Sequence, residues 1–330
     1  MSSVSLDSSA LEKLLAAAVA APSMHNTQPW RFRLYADTLT VGIHAAAERA
    51  LPREDPDGRA VHIAAGAALL NLRVAAGHLG WTPISRLLPD PGDPTLLATV
   101  RLEGRAGPLP AREADLYTAI FRRHSSRLAY TQRPVPITVL AELADAAHTE
   151  GARLTVAEAS AAARLLRLTA LAERRNHGDP HRTAESRRWT GSEAGPETGI
   201  PAEAFGPQDS FEQLPVRGFG PPRSPDRPPS RPFERHPALI SLTTAHDRRA
   251  DWLRGGQALE RVLLLATADG LRTSLLHQAL EWPDLRLRLR GAAFPYEHVQ
   301  MIVRLGYGPE GAPTPGRAAQ HFLDAADGTA

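Results

Sequence analysis

A short run between two prolines carries more hydrogen-bonding chemistry than a simple chain connection needs. Residues 21–30 read Ala-Pro-Ser-Met-His-Asn-Thr-Gln-Pro-Trp. Pro22 is predicted to end the Ala-rich helix upstream, because the residue before a proline is pushed out of the helical region, and the second proline is predicted to open a strand. Ser23, Asn26 and Gln28 lie between them in a predicted extended loop with free backbone amides. Such a loop suits the edge of a flat heteroaromatic ligand, and the alternative is an ordinary connection rich in turn-forming residues.

A second polar run reads Arg123-His124-Ser125-Ser126-Arg127. Two arginines bracket a serine hydroxyl, which places several donors within five residues. A phosphate group suits these donors, since each charge-assisted hydrogen bond contributes about 1.5–3 kcal/mol. The alternative interpretation is a solvated basic turn.

These two runs together resemble the cofactor-binding segments of the FMN-dependent nitroreductase superfamily. In that family each FMN lies at a dimer interface, where one subunit contributes a Pro-Ser-x-x-Asn-x-Gln-Pro-Trp loop to the flavin ring. The other subunit contributes an Arg-x-Ser-x-Arg/Lys stretch to the phosphate. The resemblance therefore implies cofactor-binding roles, toward the ring for Pro22, Ser23, Met24, Asn26 and Gln28, and toward the phosphate for Arg123, His124, Ser125 and Arg127.

Two further segments resemble parts of the same site. The stretch from Gly270 to Glu281 falls where the family has backbone amides facing the reactive edge of the flavin, which makes His277 and Gln278 candidate cofactor-binding residues. A purely structural role for the histidine is the alternative. Arg317 resembles the family's C-terminal phosphate arginine. No catalytic side chain is assigned, because the flavin itself carries the hydride chemistry.

Periodic patterns predict the elements that position these runs. Residues 9–12 read Ser-Ala-Leu-Glu, which is a capping-box signature at the start of an amphipathic helix. Alternating apolar residues at 30–34 and 39–43 predict a two-stranded hairpin. Residues 59–79 are Ala-rich and apolar on most sides, which predicts a long buried helix. Gly66 weakens that helix by about 1 kcal/mol relative to alanine, so we expect close packing against a neighbouring element as compensation.

The second half of the chain repeats segments of the first in the same order. Leu-Glu-Lys-Leu at 11–14 matches Leu-Ala-Glu-Leu at 140–143, and Gly-Ala-Ala-Leu at 66–69 matches Gly-Gln-Ala-Leu at 256–259. Such self-similarity predicts two copies of one unit. We therefore predict an α+β, nitroreductase-like fold in two tandem copies that form an intrachain pseudo-dimer.

The shifts between matching residues also locate an insertion in the second copy. Leu34 pairs best with Leu154, a shift of 154 − 34 = 120, whereas Leu39 pairs with Leu239, a shift of 239 − 39 = 200. The difference, 200 − 120 = 80 residues, must lie between the two hairpin strands of the second copy.

The predicted domains follow from this alignment of the two halves. The first copy is assigned to residues 1–110 and the second to residues 111–330. The insertion begins with a predicted helix near 160–173 and continues as Pro- and Gly-rich polar chain over about 176–236. A segment of that length and composition is either a functional lid or disordered.

The two copies differ in a way that bears on the number of sites. The first copy has the loop at 22–30 but no Arg-x-Ser-x-Arg before its opening helix. The second copy has the arginine run at 123–127, yet residues 148–152 read His-Thr-Glu-Gly-Ala after its equivalent helix. We therefore predict one composite site, with one FMN per chain between the copies.

Composition excludes several classes of protein. The 330 residues carry a net charge of +2 and no cysteine, which excludes disulfides and thiolate metal sites and agrees with a cytoplasmic location. We find no basic face with interleaved aromatics for nucleic acid and no run near the ~18 apolar residues of a membrane helix. A Gly-x-Gly-x-x-Gly turn between strand and helix and paired metal-binding histidines are also missing. We therefore predict no metal, no nucleic-acid partner and no membrane; together with the resemblance to the nitroreductase superfamily, we expect a monomer or weak homodimer that acts on a small molecule.

The resemblance implies flavin-dependent reduction of a small electrophile by NADH or NADPH. The alternative, from a different class, is a protein that stores or sequesters flavin with little turnover. The long insertion, with Trp189 before Gly-Ile-Pro at 199–201 and Trp-Leu-Arg-Gly-Gly at 252–256, resembles the Acg-like branch. Members of that branch are single-chain pseudo-dimers with one FMN under a lid. We therefore predict that residues 176–236 form a lid over the flavin.

Overall fold

A computed structural model describes residues 6–105, 111–193, 195–219, 229–290 and 296–323. The chain folds as an α+β protein. Its helices are α1 (Ser8–Val19), α2 (Arg59–His78), α3 (Ala111–Arg122), α4 (Ile137–Thr149), α5 (Ala159–Gly178), α6 (Pro180–Arg187), α7 (Arg249–Ala268) and α8 (Pro283–Arg288). Its strands are β1 (Trp30–Tyr35), β2 (Thr40–Ala45), β3 (Trp81–Leu87), β4 (Leu96–Arg105), β5 (Arg153–Val156), β6 (Ala238–Thr244), β7 (Arg272–Leu275) and β8 (His298–Gly306).

The strands form two antiparallel sheets of four strands each, and the two sheets have the same strand order. The first sheet runs β1-β2-β4-β3 and the second runs β5-β6-β8-β7. In the first sheet, β1 and β2 pair in register from Trp30 opposite Ala45 to Tyr35 opposite Thr40. The predicted hairpin is therefore confirmed.

The two central helices, α2 and α7, meet through a reciprocal glycine contact. A Cβ atom added to Gly66 would lie 2.1 Å from the carbonyl oxygen of Leu253, and one added to Gly256 would lie 2.0 Å from that of Ile63. Both pairs follow one shift, since 256 − 66 = 190 and 253 − 63 = 190. The close packing expected at Gly66 is confirmed, because any side chain at either position would collide with the backbone of the other helix.

α2 forms the centre of the hydrophobic core. By length and composition alone it could cross a membrane, but 83% of its most apolar window is buried inside the protein. The long buried helix predicted at 59–79 is therefore present as a core element.

One local prediction was wrong, and one strand was missed. α1 is capped by Asp7, whose carboxylate accepts a hydrogen bond from the amide of Ala10 at 2.7 Å, so the capping box predicted at 9–12 does not form. The helix begins earlier because Asp7 already supplies an acceptor for its first amides. β3 was not predicted, since Pro83 interrupts its pattern. β3 is the last strand of its sheet and, among the described strands, pairs with β4 alone; at such an edge a missing amide proton is tolerated.

The segment between β5 and β6 is more regular than its composition predicts. The expected helix at 160–173 is present as the longer α5, and α6 follows it with Asp179 as its N-cap. Four residues beyond α6 form a small buried apolar cluster of their own: Ile200, Ala204, Phe205 and Phe219. The described part of this segment is thus held by local packing as well as by contacts with the rest of the chain.

Candidate functional site

A cavity of about 560 Å³ lies among segments that are far apart in the chain. This volume falls within the range of small-molecule sites, roughly 300–1,000 Å³. Ten of the twelve predicted cofactor-binding residues line it: Pro22, Ser23, Met24, Asn26, Arg123, His124, Ser125, Arg127, His277 and Arg317. Gln28 and Gln278 are buried behind the cavity wall.

The loop between the two prolines is a tight turn and not the extended loop predicted from the sequence. Met24–Asn26 forms a 3₁₀ turn, and His25, Asn26 and Gln28 have φ values of 49°, 55° and 52°. Non-glycine residues adopt this conformation rarely and at a cost in free energy. The amide of Gln28 donates to Ser23 Oγ at 2.9 Å, and the amide of Asn26 bonds within the turn. These backbone amides, predicted to be free, hold the turn together.

The side chains of Asn26 and Gln28 join the turn to other segments. Asn26 Nδ2 donates to the carbonyls of Gly199 at 3.0 Å and Pro315 at 2.7 Å. Gln28 Nε2 donates to the carbonyl of Glu197 at 2.9 Å. The side-chain amides of Asn26 and Gln28 were predicted to face a ligand. They instead connect the turn to the segment between β5 and β6 and to the C-terminal segment.

Arg127 is a half-buried cation in the cavity wall. Its Nη1 donates to the carbonyl of Ala204 at 2.8 Å, and its guanidinium lies 5.0 Å from the centre of the Phe219 ring. Within the described part of the chain no carboxylate pairs with it. Burial and repulsion from Arg217 lower the pKa of Arg127 to about 10, so it stays charged at neutral pH. A buried cation of this kind fits an anionic group on a ligand, which would supply the missing counter-charge.

Two further arginines reach the cavity, one from the same run and one from the C-terminal segment. Arg123 Nη2 donates to the carbonyl of Ala20 at 3.0 Å, and its Nε lies 3.5 Å from Glu260 Oε1. Arg317 is placed by its backbone amide, which donates to Gln28 Oε1 at 3.2 Å. An arginine carries five donors, so each guanidinium retains donors for a ligand. The grouping matches the phosphate-binding set that the sequence predicts.

A compact set of ionisable residues forms another part of the wall. Arg217 donates to Glu54 Oε2 at 3.1 Å, to Glu281 Oε1, and to His277 Nε2 at 2.9 Å. His25 bonds the same Glu54 carboxylate through Nε2. Burial alone would raise the pKa of Glu54, but His25 and Arg217 outweigh it and hold that pKa at about 2. We call these five residues the Glu54 cluster: His25, Glu54, Arg217, His277 and Glu281.

Sequence reasoning missed most of the Glu54 cluster. Glu54 and Arg217 are 163 residues apart and Arg217 and Glu281 are 64 apart, so no motif spacing connects them. Gln278, which the sequence placed at the cofactor, instead lies behind the wall, where its Nε2 donates to the carbonyl of Pro215 at 3.3 Å. The segment between β5 and β6 is therefore part of the site.

The buried carboxyl of Glu260 makes the stability of the fold depend on pH. Its side chain is fully buried, and burial raises its pKa to about 7, with Arg123 opposing the shift. Because its pKa is raised, the carboxyl is more easily protonated in the folded state than in the unfolded chain. The contribution of Glu260 to the free energy of unfolding is therefore complete below the usual glutamate pKa and is lost as pH rises through about 7. Between pH 4.5 and 8, we expect the free energy of unfolding of the wild-type apoprotein to fall by about 3 kcal/mol relative to that of Glu260→Gln.

Denaturant titrations of both proteins across this pH range would measure the difference. Glu12→Gln, at an exposed position of α1, is the matched control and should show no such trend. A difference between the wild type and Glu260→Gln that stays constant with pH would contradict a buried, neutral carboxyl at Glu260.

Comparison with known proteins places the chain in a family. No protein-family profile matches it. Over 325 residues it is 34% identical to "Putative NAD(P)H nitroreductase Rv3131" of Mycobacterium tuberculosis, a match that covers 96% of this chain and 92% of that protein. This chain belongs to the nitroreductase superfamily. It is also 30% identical over 302 residues to "Putative NAD(P)H nitroreductase acg" of the same organism, covering 88% of this chain and 86% of that protein. The resemblance stated from the sequence is confirmed.

Solved nitroreductase structures align with this superfamily member more weakly. A nitroreductase with bound FMN from Bacteroides fragilis has 17% identity and a TM-score of 0.37, covering 65% of this chain and 96% of that one. A nitroreductase with bound FMN from Desulfitobacterium hafniense has 12% identity and a TM-score of 0.41, and the alignment covers 64% of this chain and 98% of that one. The family assignment therefore rests on the sequence relatives.

Proposed function

We propose that this nitroreductase-superfamily protein is an FMN-dependent oxidoreductase that reduces a small electrophile with NADH or NADPH. The observation that carries the proposal is the cavity, which brings the turn at 22–26 together with the arginine run at 123–127. By the resemblance, these two runs contact the ring and the phosphate of one FMN. The names of the two M. tuberculosis relatives support NAD(P)H as the reductant.

The residues of the wall fit the two ends of FMN. Arg123, Ser125, Arg127 and Arg317 would bind the phosphate, and the turn at 22–26 would contact the ring. The absence of a carboxylate beside Arg127 in the described part of the chain supports this assignment, because a phosphate would supply the counter-charge. FMN supplies the hydride chemistry when bound, and the protein binds, orients and shields it.

We further infer that the chain is a tandem pair of units, residues 1–110 and 111–330, acting as a pseudo-dimer. The equal strand orders of the two sheets support this inference. The reciprocal contact of Gly66 and Gly256 supports it independently, because an isologous interface brings equivalent residues together across a two-fold axis.

The position that would hold a second cofactor is filled by ion pairs. The shift that relates α1 to α4, 140 − 11 = 129, places Ala21 opposite Glu150, since 150 − 21 = 129. Ala21 lines the cavity, whereas Glu150 is buried and bonds Arg73 at 2.6 Å and Arg261 at 2.8 Å. This difference supports a single site per chain.

We also propose that residues 176–236 form the lid of the site. Four of the described residues in this segment line the cavity: Glu197, Ile200, Arg217 and Phe219. In α6, the carboxylate of Glu185 accepts hydrogen bonds from the amides of Arg53 at 3.1 Å and Glu54 at 2.9 Å. With the bonds from Asn26 and Gln28, these contacts hold the segment against the cavity and limit access to its contents.

Flavin content and reduction test the proposed function. We expect the purified protein to bind one FMN per chain, and anaerobic addition of NADPH or NADH to bleach its visible flavin spectrum. Extraction of the flavin after denaturation gives the stoichiometry. Two FMN per chain would contradict the composite single site. Bound FMN that neither nicotinamide reduces would contradict the oxidoreductase and favour the flavin-storing alternative.

Arg127→Ala should weaken FMN binding by about 10- to 100-fold, because it removes a charged donor worth about 1.5–3 kcal/mol. Riboflavin, which has no phosphate, should bind almost as before. Titration of the apoprotein with each flavin measures both affinities. Arg122→Ala removes an exposed arginine at the end of α3, just before the run, and should change neither. Equal losses for FMN and riboflavin would show that Arg127 supports the fold and not the phosphate.

A further inference from the structure

The hydrogen bonds of the Glu54 cluster fix the tautomer of His277. Arg217 Nη1 lies 2.9 Å from His277 Nε2. An arginine has donors only, so Nε2 must accept this bond and carries no proton. The neutral ring therefore carries its proton on Nδ1.

The surroundings of His277 also oppose a second proton on the ring. The ionisable groups that act on the ring come from its own segment, which carries Glu281, and from four other segments, which carry His25, Glu54, Arg127 and Arg217. Burial and the positive charge of Arg217 lower the pKa of His277 well below its usual value, and the Glu54 carboxylate does not offset them. The ring is thus neutral at physiological pH.

His277 lies in the wall of the cavity, and its side chain is 20% exposed. Nδ1 has no hydrogen-bond partner among the described residues. Nδ1 of His25 also has no partner, but it is fully enclosed by protein, whereas Nδ1 of His277 is not. Of the two histidines in the Glu54 cluster, His277 is therefore the one that offers a free donor.

We propose that His277 presents a fixed, neutral Nδ1–H donor to a carbonyl oxygen or ring nitrogen of the flat heteroaromatic ligand in the cavity. Arg217 is the positioning residue that sets the tautomer. The identity of the ligand as a flavin rests on the proposed function, but the tautomer does not. A neutral donor binds such an acceptor without adding positive charge to a wall that already holds Arg127 and Arg217, and the bond strengthens when negative charge develops on the acceptor.

Nitrogen NMR of the ¹⁵N-histidine-labelled apoprotein tests the tautomer without any ligand. The chain has 13 histidines, and the signals missing from His277→Asn identify His277. We expect a protonated Nδ1 and an unprotonated Nε2 that do not titrate between about pH 6 and 8. A proton on Nε2, or titration of the ring in this range, would overturn the proposal.

Flavin titration of the apoprotein tests the donor. His277→Phe should weaken riboflavin and FMN alike by about fivefold, the loss expected for one neutral hydrogen bond. His277→Asn should recover most of the affinity, because its amide nitrogen occupies nearly the position of Nδ1. His181→Phe, at an exposed position of α6, is the control and should bind both flavins normally.

The outcomes separate this proposal from the proposed function. Equal affinities for His277→Phe and His277→Asn would overturn the donor role even if the wild type binds flavin tightly. A wild type that binds neither FMN nor riboflavin would contradict the proposed function and the flavin as the ligand of His277. The tautomer of His277 is tested separately, by the NMR experiment alone.

Discussion

Gly66→Ala should destabilise the protein by about 3 kcal/mol, at the upper end of what overpacking a core costs. The added Cβ would lie 2.1 Å from the carbonyl oxygen of Leu253, and backbone cannot move aside by changing rotamer. The helices α2 and α7 would have to separate along their contact. The intrinsic preference of helices for alanine offsets at most about 1 kcal/mol of this cost. Thermal and denaturant unfolding of the purified variant would measure the loss.

Two matched substitutions make the test specific. Gly256→Ala creates the reciprocal collision with Ile63, at 2.0 Å, and should be equally destabilising. Gly178→Ala, in α5, has open space around the added Cβ and should leave stability unchanged or slightly raised. If Gly66→Ala unfolds like Gly178→Ala, the close helix contact is absent in solution.

Arg217→Met should also cost about 3 kcal/mol or more, because it leaves buried carboxylates without their shared cation. Glu54 would keep its bond to His25, and Glu281 would keep Arg182 and the side-chain amide of Asn176, but the cation that the two glutamates share would be gone. Methionine fills a similar volume to arginine, so the loss in stability would come from the missing charge and not from a cavity. We expect the cost to fall at low pH, where the carboxylates of the variant become protonated.

Denaturant unfolding at several pH values checks this expectation. Arg188→Met is the control, since Arg188 is an exposed arginine just after α6. A variant at Arg217 as stable as this control would mean that Arg217 does not hold the segment between β5 and β6 against the site. Such a result would also remove the basis for a fixed tautomer at His277.

Local patterns predicted much of the fold because they report local physics. Alternation in the sequence identified the β1–β2 hairpin, and an Ala-rich run that contains Gly66 identified α2 and its close packing against a neighbouring element. β3 was missed because an edge strand tolerates Pro83, and only the sheet order shows that it is an edge.

The candidate site was predictable only where it resembles a known motif. The turn at 22–26 and the arginine run at 123–127 were found in this way, and both line the cavity. Gln28 was assigned to the ligand by its type, but its amide bonds the carbonyl of Glu197. Glu54 and Arg217 could not be paired in advance, because only the folded chain brings them within 3.1 Å. Long-range ion pairs leave no periodic trace in a sequence.

In the tandem pair that we propose, the unequal residues Ala21 and Glu150 illustrate what joining two units in one chain permits. In a symmetric homodimer every substitution appears twice, so a change that fills one ligand pocket fills both. In a single chain the two positions mutate independently. One can stay small beside the cavity while the other carries a buried carboxylate with two arginine partners. In the proposed pseudo-dimer, the covalent link would thus let one half specialise in holding a ligand and the other in holding the molecule together.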